Sequence, residues 1–226
     1  SEDLTAADGT TIPKDGLIEI AGVQADGTLT FSADLPIGSY YVKEYSTNEH
    51  YLISEETYPV VFEYGGGDTA VVEIVVNNGD AILNEIICGS ISGIKVDENG
   101  EPLPGAVFGL FKADCTEFTE ENAILTAESA EDGSFSFTEV PYGIWQIKEI
   151  STVEGYVLSD EIFEVQIDED GQVIELSNIE NKPVTGTVET TKVDKNYPEN
   201  KLSGAVFQIY QDVNGNGTFD PDIDTL

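Results

Sequence analysis

Two glutamates lie on strand-like segments whose neighbouring positions on the same face are apolar. Glu44 follows Val42 at an alternate position, and Glu149 follows Trp145 and Ile147 in the same way. Alternate side chains share one face of a β-strand. An apolar environment disfavours the charged form of a carboxylic acid, and a general acid must hold its proton near neutral pH. Each glutamate is therefore a candidate for acid-assisted chemistry.

A candidate metal site lies near the carboxyl end of the sequence, where oxygen-bearing side chains recur at alternate positions: Asp212, Asn214, Asn216, Thr218 and Asp220. With Gly217 at the sharp turn, this run is similar to the first nine positions of an EF-hand loop, whose oxygen ligands suit Ca²⁺. The twelfth position is Ile223 and no flanking helices are predicted. Asp222 or Asp224 would therefore have to complete the coordination. The alternative is an Asx-rich turn without metal.

The composition restricts the classes of partner. Forty-four Asp and Glu against nine Lys and no Arg give a net charge of -35, so nothing in the chain could neutralise nucleic-acid phosphates. No apolar run approaches the roughly 20 residues that span a bilayer, and we expect any export signal or anchor to lie outside this chain. Cys88 and Cys115 are expected to be free thiols, with a disulfide between strand ends as the alternative.

An internal repeat organises the sequence. Residues 36–47 return as 141–152 at a constant offset of 105, and 89–97 return as 186–194. Only the stretch from 89 to 183 contains every part of the repeat. The sequence therefore predicts one complete middle domain (87–184) between two partial ones. The first domain (1–86) would lack its opening strands, and the third (185–226) would contain only those two.

Alternating apolar residues between turn motifs predict an all-β protein with no helices. In the middle domain seven strands are expected, at 90–97, 105–112, 124–128, 134–139, 143–151, 161–168 and 172–181. This pattern predicts a β-sandwich with immunoglobulin-like spacing, without the Cys, Trp and Cys signature of immunoglobulin domains. In the first domain, strands are expected from about residue 29 onward, including 40–44, 58–64 and 69–76.

Three segments of the middle domain carry a resemblance to a known family. Gly-Ile-Lys-Val-Asp at 93–97 leads to Pro-Leu-Pro-Gly-Ala-Val-Phe at 102–108, Ile-Lys-Glu at 147–149 leads to Glu-Gly-Tyr at 154–156, and Asn-Lys-Pro stands at 181–183. In these segments the sequence resembles Cna B-type domains, also called SpaA-like or prealbumin-like repeats, of Gram-positive surface adhesins and pilins. The resemblance implies tandem immunoglobulin-like β-sandwiches.

The resemblance also implies an intramolecular isopeptide bond between Lys95 and Asn181, assisted by Glu149. The chemistry requires burial, because a neutral amine must attack while a protonated acid polarises the carboxamide. Two alternatives remain open. Asn178 is a rival acceptor, since strict alternation places it on the face of its apolar neighbours. Lys95 and Glu149 could also be ordinary surface charges, where most Lys and Glu lie.

The flanking domains contain parts of the same site. Glu44 and Asn84 match the acid and the acceptor, and the amine of this first domain is expected before Ser1, because Lys14 falls in an opening loop. Lys192 matches the amine of the third domain, whose acid and acceptor are absent from the chain. One isopeptide bond, in the middle domain, is therefore predicted.

The function implied by the resemblance is that of a structural stalk fragment, not a turnover enzyme. Such a protein would be extracellular and attached to the cell wall, with adjacent repeats as partners and a host ligand bound by a tip domain outside this chain. One alternative is an adhesin module that itself contacts a host protein or glycan. Another is an accessory domain of a secreted hydrolase, whose catalytic domain would lie beyond the chain.

Overall fold

The structure is a computed structural model of the 226-residue chain and describes residues 3–6, 9–63, 66 and 74–220. It divides into two compact units, residues 1–183 and 184–226. The three-domain division drawn from the repeat stays a prediction. No helix among the described residues has the length and apolar character needed to cross a membrane.

Nearly all regular structure in the described residues is β. The strands are β1 (Leu4–Thr5), β2 (Thr11–Ile12), β3 (Gly38–Lys43), β4 (Thr57–Phe62), β5 (Cys88–Val96), β6 (Val107–Lys112), β7 (Leu125–Glu128), β8 (Ser134–Pro141), β9 (Gly143–Ser151), β10 (Ile162–Ile167), β11 (Val173–Glu175) and β12 (Ile179–Glu180). Short 3-10 segments lie at Val76–Gly79 and Glu120–Asn122. The prediction of an all-β chain is confirmed.

The middle domain is a sandwich of two sheets. One sheet has the order β10-β9-β6-β7, and all its neighbours are antiparallel. In the other sheet β5 is central: β8 pairs with it antiparallel, and β11 and β12 pair in parallel with successive stretches of it. The first and last strands of the domain are therefore direct neighbours. The predicted strand bounds agree with the observed ones to within a few residues, apart from the last strand.

A continuous apolar core joins the two sheets. Phe108 of β6 and Phe135 of β8 stack across it with ring centroids 3.9 Å apart. The buried members of the core are Ile87, Ile91, Ala106, Phe108, Leu110, Phe135, Phe137, Val140, Trp145, Ile147, Val165, Ile167 and Ile179. Burying such side chains contributes roughly 1.5–3 kcal/mol each. This core fixes which face of each strand points inward.

The predicted last strand, 172–181, is split into β11 and β12. Ile174 lies opposite Ile91, whereas Ile179 lies opposite Lys95, so β11 and β12 differ by one residue in register against β5. An extra residue of this kind is a bulge, and it exchanges the inward and outward faces of the residues that follow. Strict alternation, the basis for Asn178 as a rival acceptor, therefore does not hold along 172–181, and Ile179 is buried.

The first domain contains fewer strands than the sequence predicts. β3 pairs antiparallel with β4, and β1 pairs with β2. Residues 29–31 form no strand, although β8 occupies the corresponding place in the middle domain. The reason is the missing partner, because β8 pairs with β5 and the described part of the first domain has no counterpart of β5. Of the strand expected at 69–76, residues 69–73 lie outside the described residues.

Residues 184–220 form no strand, although two were expected there. The segment contains an isolated bridge between Val193 and Lys201 and a turn in which the Asn200 backbone N–H donates to the Tyr197 carbonyl oxygen at 2.9 Å. Backbone N–H and C=O groups need partners, and a strand satisfies them only by pairing with another strand. Among the described residues the two expected strands have no partner strand, and most of their side chains are exposed.

Candidate isopeptide site

The middle domain brings Lys95, Glu149 and Asn181 into its interior. Lys95 is on the inward face of β5, Glu149 is on the inward face of β9, and Asn181 directly follows β12. Their exposed fractions are 0%, 1% and 2%. Lys and Glu are almost never fully buried unless they are paired. Lys95 and Glu149 are therefore not ordinary surface charges, and Asn181 lies in the same interior.

The carboxyl group of Glu149 faces the carboxamide of Asn181. Asn181 Nδ2 donates to Glu149 Oε1 at 2.8 Å and Oε2 at 2.9 Å, and to Thr152 Oγ1 at 2.6 Å. The Ser159 backbone N–H donates to Glu149 Oε2 at 2.9 Å. Asn181 Oδ1 is buried and has no hydrogen-bond partner. A buried polar atom without a partner requires an explanation, and here it belongs to the group that the predicted reaction would consume.

The amine of Lys95 enters the same interior. Its Nζ donates to the carbonyl oxygen of Ile179 at 2.8 Å and to that of Val96 at 3.1 Å. Desolvation lowers the pKa of this amine, and the opposing attraction of the carboxylates, led by Glu149, does not offset it. A lower pKa favours the neutral amine, which is the nucleophilic form.

The backbone holds the lysine and the asparagine together. Ile179 of β12 lies opposite Lys95, and the Asn181 N–H donates to the Val96 carbonyl oxygen at 3.0 Å. On the other side, the Lys95 N–H donates to the carbonyl oxygen of Gly133 at 2.7 Å. Gly133 has a φ of +79°, and a Cβ there would clash with the Lys95 carbonyl oxygen. Only glycine fits this turn, which braces the end of β5 that carries the lysine.

The rival acceptor Asn178 lies elsewhere. It is exposed in the loop between β11 and β12, whereas Asn181 is buried. The bulge between these two strands explains the difference, because it reverses the faces that strict alternation would assign. Of the two asparagines, Asn181 is the one whose side chain contacts Glu149.

Two residues of the site were missed by sequence reasoning, Thr152 and Ser159. Thr152 accepts from the carboxamide, and the Ser159 backbone N–H holds one carboxyl oxygen. A signal for both was present, because Thr47 and Ser54 stand at the same offset of 105 that relates Glu44 to Glu149. Residues that recur at the same spacing from a candidate acid in two repeats are thus candidates for contact with that acid.

The first domain contains the acid and the acceptor in the same arrangement. Asn84 Nδ2 donates to the two carboxyl oxygens of Glu44 at 2.9 and 3.0 Å and to Thr47 Oγ1 at 2.9 Å. The Ser54 N–H donates to Glu44 Oε2 at 2.6 Å. Burial raises the pKa of Glu44, but these hydrogen bonds together lower it below its usual value. Glu44 and Asn84 are half-buried.

The lysines of the flanking domains are not brought to an acid. Lys192 is exposed, and its carbonyl oxygen accepts from the Leu202 N–H at 2.9 Å. Lys14 is also exposed, and its backbone N–H donates to Asp3. Within the described residues, only the middle domain has the amine, the acid and the carboxamide in one interior.

The candidate calcium loop is exposed and holds its oxygen atoms by local hydrogen bonds. Asp212 Oδ2 accepts from the Gly217 N–H at 2.7 Å, and Asn216 Oδ1 accepts from the Thr218 N–H at 2.8 Å. The described residues contain no group of three or more His, Cys, Asp or Glu side chains placed to hold a metal ion. Asp222 and Asp224 lie outside the described residues. Calcium binding stays a prediction.

If the loop binds Ca²⁺, the ion would replace these local bonds and order the segment. We predict that Ca²⁺, but not a chelator, protects residues 212–220 from limited proteolysis of the full chain, because bound segments open less often. Asp212→Ala should abolish this protection, and Asp194→Ala, outside the loop, should retain it. Identical digestion patterns with Ca²⁺ and with chelator would contradict calcium binding.

Cys88 and Cys115 are both free and half-buried. Desolvation raises the pKa of the Cys88 thiol, with smaller contributions from nearby carboxylates. A raised pKa reduces the thiolate fraction, so this cysteine is a poor nucleophile.

The fold and the site together define a prealbumin-like sandwich with a buried lysine, acid and carboxamide. A family model described as SpaA, prealbumin-like fold domain, matches residues 3–78 and 89–182. The chain belongs to this family of SpaA prealbumin-like fold domains. The resemblance noted in the sequence is thereby confirmed. A search of curated proteins found no match.

Several solved structures are similar to this chain. The TIE protein of Bacillus anthracis is 25% identical with a TM-score of 0.58, over 76% of this chain and 30% of that one. The chain thus spans less than a third of that relative. The minor pilin GBS52 of Streptococcus agalactiae is 22% identical over 75% of this chain and 70% of its own, with a TM-score of 0.39. A C-terminal fragment of the pilus adhesin SpaC from Lactobacillus rhamnosus GG is 18% identical over 71% and 84%, with a TM-score of 0.43.

Proposed function

We propose that the chain is a stalk segment of a Gram-positive cell-surface adhesin or pilin, stabilised by an isopeptide bond between Lys95 and Asn181 that forms with the assistance of Glu149. The observation that carries the proposal is the burial of all three side chains in one interior. Membership of the SpaA family and the similarity to the minor pilin GBS52 of Streptococcus agalactiae support the surface location.

The reaction joins the lysine to the asparagine and releases ammonia. The neutral Nζ of Lys95 attacks Cγ of Asn181, an N–C bond forms and the Cγ–Nδ2 bond breaks. One proton of the amine passes to the departing nitrogen, which leaves as ammonia. Glu149 is suited to carry this proton, because both its oxygens lie within 2.9 Å of Nδ2. The acid is restored at the end, so the domain reacts once and does not turn over.

A bond at this position suits a protein under tension. Tension would enter the middle domain at Cys88 and leave after Asn181. β5 and β12 are parallel neighbours, and Lys95 stands near the far end of β5. A covalent bond there would carry the tension along β5 and across to Asn181. The residues between 95 and 181 would bear none of it.

The proposal is tested by intact mass under denaturing conditions. We predict that the wild-type chain is lighter than its sequence by one ammonia. Lys95→Met, which replaces the amine with an apolar side chain of similar length, should have the full sequence mass. A wild-type chain of full sequence mass would refute the bond and leave a β-sandwich without a cross-link.

A matched pair of variants tests which asparagine is the acceptor. We predict that Asn181→Ala restores the full sequence mass, because the buried carboxamide is removed. Asn178→Ala should still lose one ammonia, since its side chain is exposed, whereas that of Asn181 contacts the carboxyl group that assists the reaction. The opposite pattern in these two masses would make Asn178 the acceptor.

A further inference from the structure

The oxygen atoms of the candidate isopeptide site surround one atom of Asn181, its Nδ2. Glu149 Oε1, Glu149 Oε2 and Thr152 Oγ1 lie 2.8, 2.9 and 2.6 Å from this nitrogen. The other terminal atom of the carboxamide, Oδ1, is buried and has no hydrogen-bond partner. The polar contacts of the carboxamide are thus made to the nitrogen that the proposed reaction releases, and none is made to the carbonyl oxygen.

The three oxygen atoms match the leaving nitrogen better than they match the unreacted carboxamide. The Nδ2 atom of asparagine carries two hydrogens, so three acceptors have only two hydrogens to share. A leaving nitrogen that has taken up a proton carries one more, which gives each oxygen a hydrogen of its own. Interactions that are stronger in the transition state than in the starting state accelerate a reaction. This arrangement therefore favours departure of the nitrogen.

The third oxygen comes from a loop that is attached to the acceptor segment. Thr152 is half-buried and directly follows β9. Further along the same loop, the Val157 N–H donates to the carbonyl oxygen of Lys182 at 2.8 Å. Lys182 is the neighbour of Asn181 in the chain. The backbone therefore holds the Thr152 hydroxyl against the carboxamide.

We propose that Thr152 is a catalytic residue of the isopeptide reaction, and that its hydroxyl oxygen holds the leaving nitrogen of Asn181. Lys95 Nζ attacks Cγ of Asn181, and Glu149 passes one proton of the amine to Nδ2. The Cγ–Nδ2 bond breaks and ammonia leaves, with its hydrogens facing the two carboxylate oxygens and Thr152 Oγ1. Thr152 itself neither gains nor loses a proton. The inference rests on the bond proposed above between Lys95 and Asn181.

The same hydrogen bond fixes the plane of the carboxamide. An amine attacks a carbonyl carbon from above or below that plane, and Lys95 Nζ is itself held by the Ile179 carbonyl oxygen at 2.8 Å. Rotation of the Asn181 side chain about its Cβ–Cγ bond would turn the plane relative to this fixed amine. Correct orientation of two reacting groups supplies a large part of a rate enhancement. Removal of the Thr152 hydroxyl should therefore slow both the attack and the departure of ammonia.

The test follows bond formation in newly made chains, because the reaction would be complete in a purified one. The full chain is synthesised by cell-free translation, samples are stopped in denaturant at intervals, and intact mass gives the fraction that lacks one ammonia. Thr152→Val replaces the hydroxyl with a methyl group of similar size. We expect it to lose ammonia roughly 10- to 100-fold more slowly than the wild type. Thr152→Ser retains the hydroxyl and should react at close to the wild-type rate.

Two controls separate the hydroxyl from an effect on folding. Thr138→Val changes an exposed threonine of β8 and should react as fast as the wild type. Thr152→Val combined with Lys95→Met cannot form the bond, and this double variant should still melt cooperatively above the temperature of the reaction.

Three results would overturn the role of Thr152. They are a wild-type rate in Thr152→Val, a rate in Thr152→Ser as slow as that in Thr152→Val, and a double variant that is unfolded at the reaction temperature. A different result would refute the bond itself and the role of Thr152 with it, namely a wild-type chain that never loses ammonia.

Discussion

Glu149→Ala is expected to leave the chain with its full sequence mass and to lower the melting temperature of the middle domain by roughly 20–30 °C. Without the acid, the carboxamide keeps only its hydrogen bond to Thr152 and no carboxyl group transfers the proton, so Lys95 and Asn181 stay unlinked. The bond closes a segment of 86 residues. A cross-link of that span contributes about 4–5 kcal/mol by limiting the unfolded chain. Calorimetry and intact mass on the same samples measure both effects.

Two further variants separate the bond from the carboxyl group itself. Lys95→Met retains Glu149 but cannot form the bond, and it should show a similar fall in melting temperature. Glu44→Ala removes an acid with the same hydrogen-bond partners in the first domain. That variant should keep the one-ammonia loss and the melting temperature of the middle domain. A Glu149→Ala chain that still lacks one ammonia would contradict the assigned role of this residue.

The second large effect is mechanical. When the chain is pulled from its two ends, only those residues of the wild-type middle domain that lie outside the bond should extend. The segment between 95 and 181 should add no length. In Lys95→Met, unfolding should release the segment between 95 and 181, which is roughly 300 Å of extended chain at about 3.5 Å per residue. Single-molecule force spectroscopy reports this length directly. The wild-type chain should lack this step because the bond transfers tension directly from β5 to Asn181 at the end of the domain.

The matched control for pulling is Lys112→Met, a lysine on β6 that is exposed and outside the site. It should behave as the wild type, with no step of that length. A 300 Å step in the wild-type chain, of the size set by about 3.5 Å per residue, would show that tension reaches the segment. That outcome would contradict the mechanical role even if the bond were present.

Much of the middle domain could be predicted because its sequence follows the period of a strand. In β9 the apolar residues alternate up to Glu149, so the inward position of the acid could be derived from spacing alone. The central position of β5 in its sheet could not be predicted, because the sequence alone does not determine which strands pair. The expectation that Lys95 and Asn181 come together depended on the resemblance to a known family.

The bulge between β11 and β12 could not be predicted, and it decides which asparagine is buried. A one-residue change of register depends on how Ile174 and Ile179 pack against β5, which local alternation does not reveal. Strict alternation of inward and outward side chains holds in other strands of the domain, such as β9. Applied to residues 172–181, it would place Asn178 in the interior. The repeat points instead to Asn181, because Asn84 occupies the equivalent place and each asparagine follows an isoleucine by two residues.

The flanking domains differ from expectation for one physical reason. Residues 29–31 and 186–194 have strand-like sequences, but strands form only where partners satisfy their backbone groups. Leu29 and Val188 stay exposed because the described structure provides no strand beside them. Propensity for a strand is thus largely a property of the neighbours that it packs against.

The central claim is that one covalent bond joins Lys95 to Asn181. Proteolytic digestion followed by fragment mass spectrometry tests it most directly, because the bond leaves a branched peptide that contains both residues. The account predicts this peptide, lighter by one ammonia than its two parts, in the wild type and in Asn178→Ala. It predicts two separate peptides in Glu149→Ala. Separate, unmodified peptides around Lys95 and Asn181 in the wild-type chain would contradict the account.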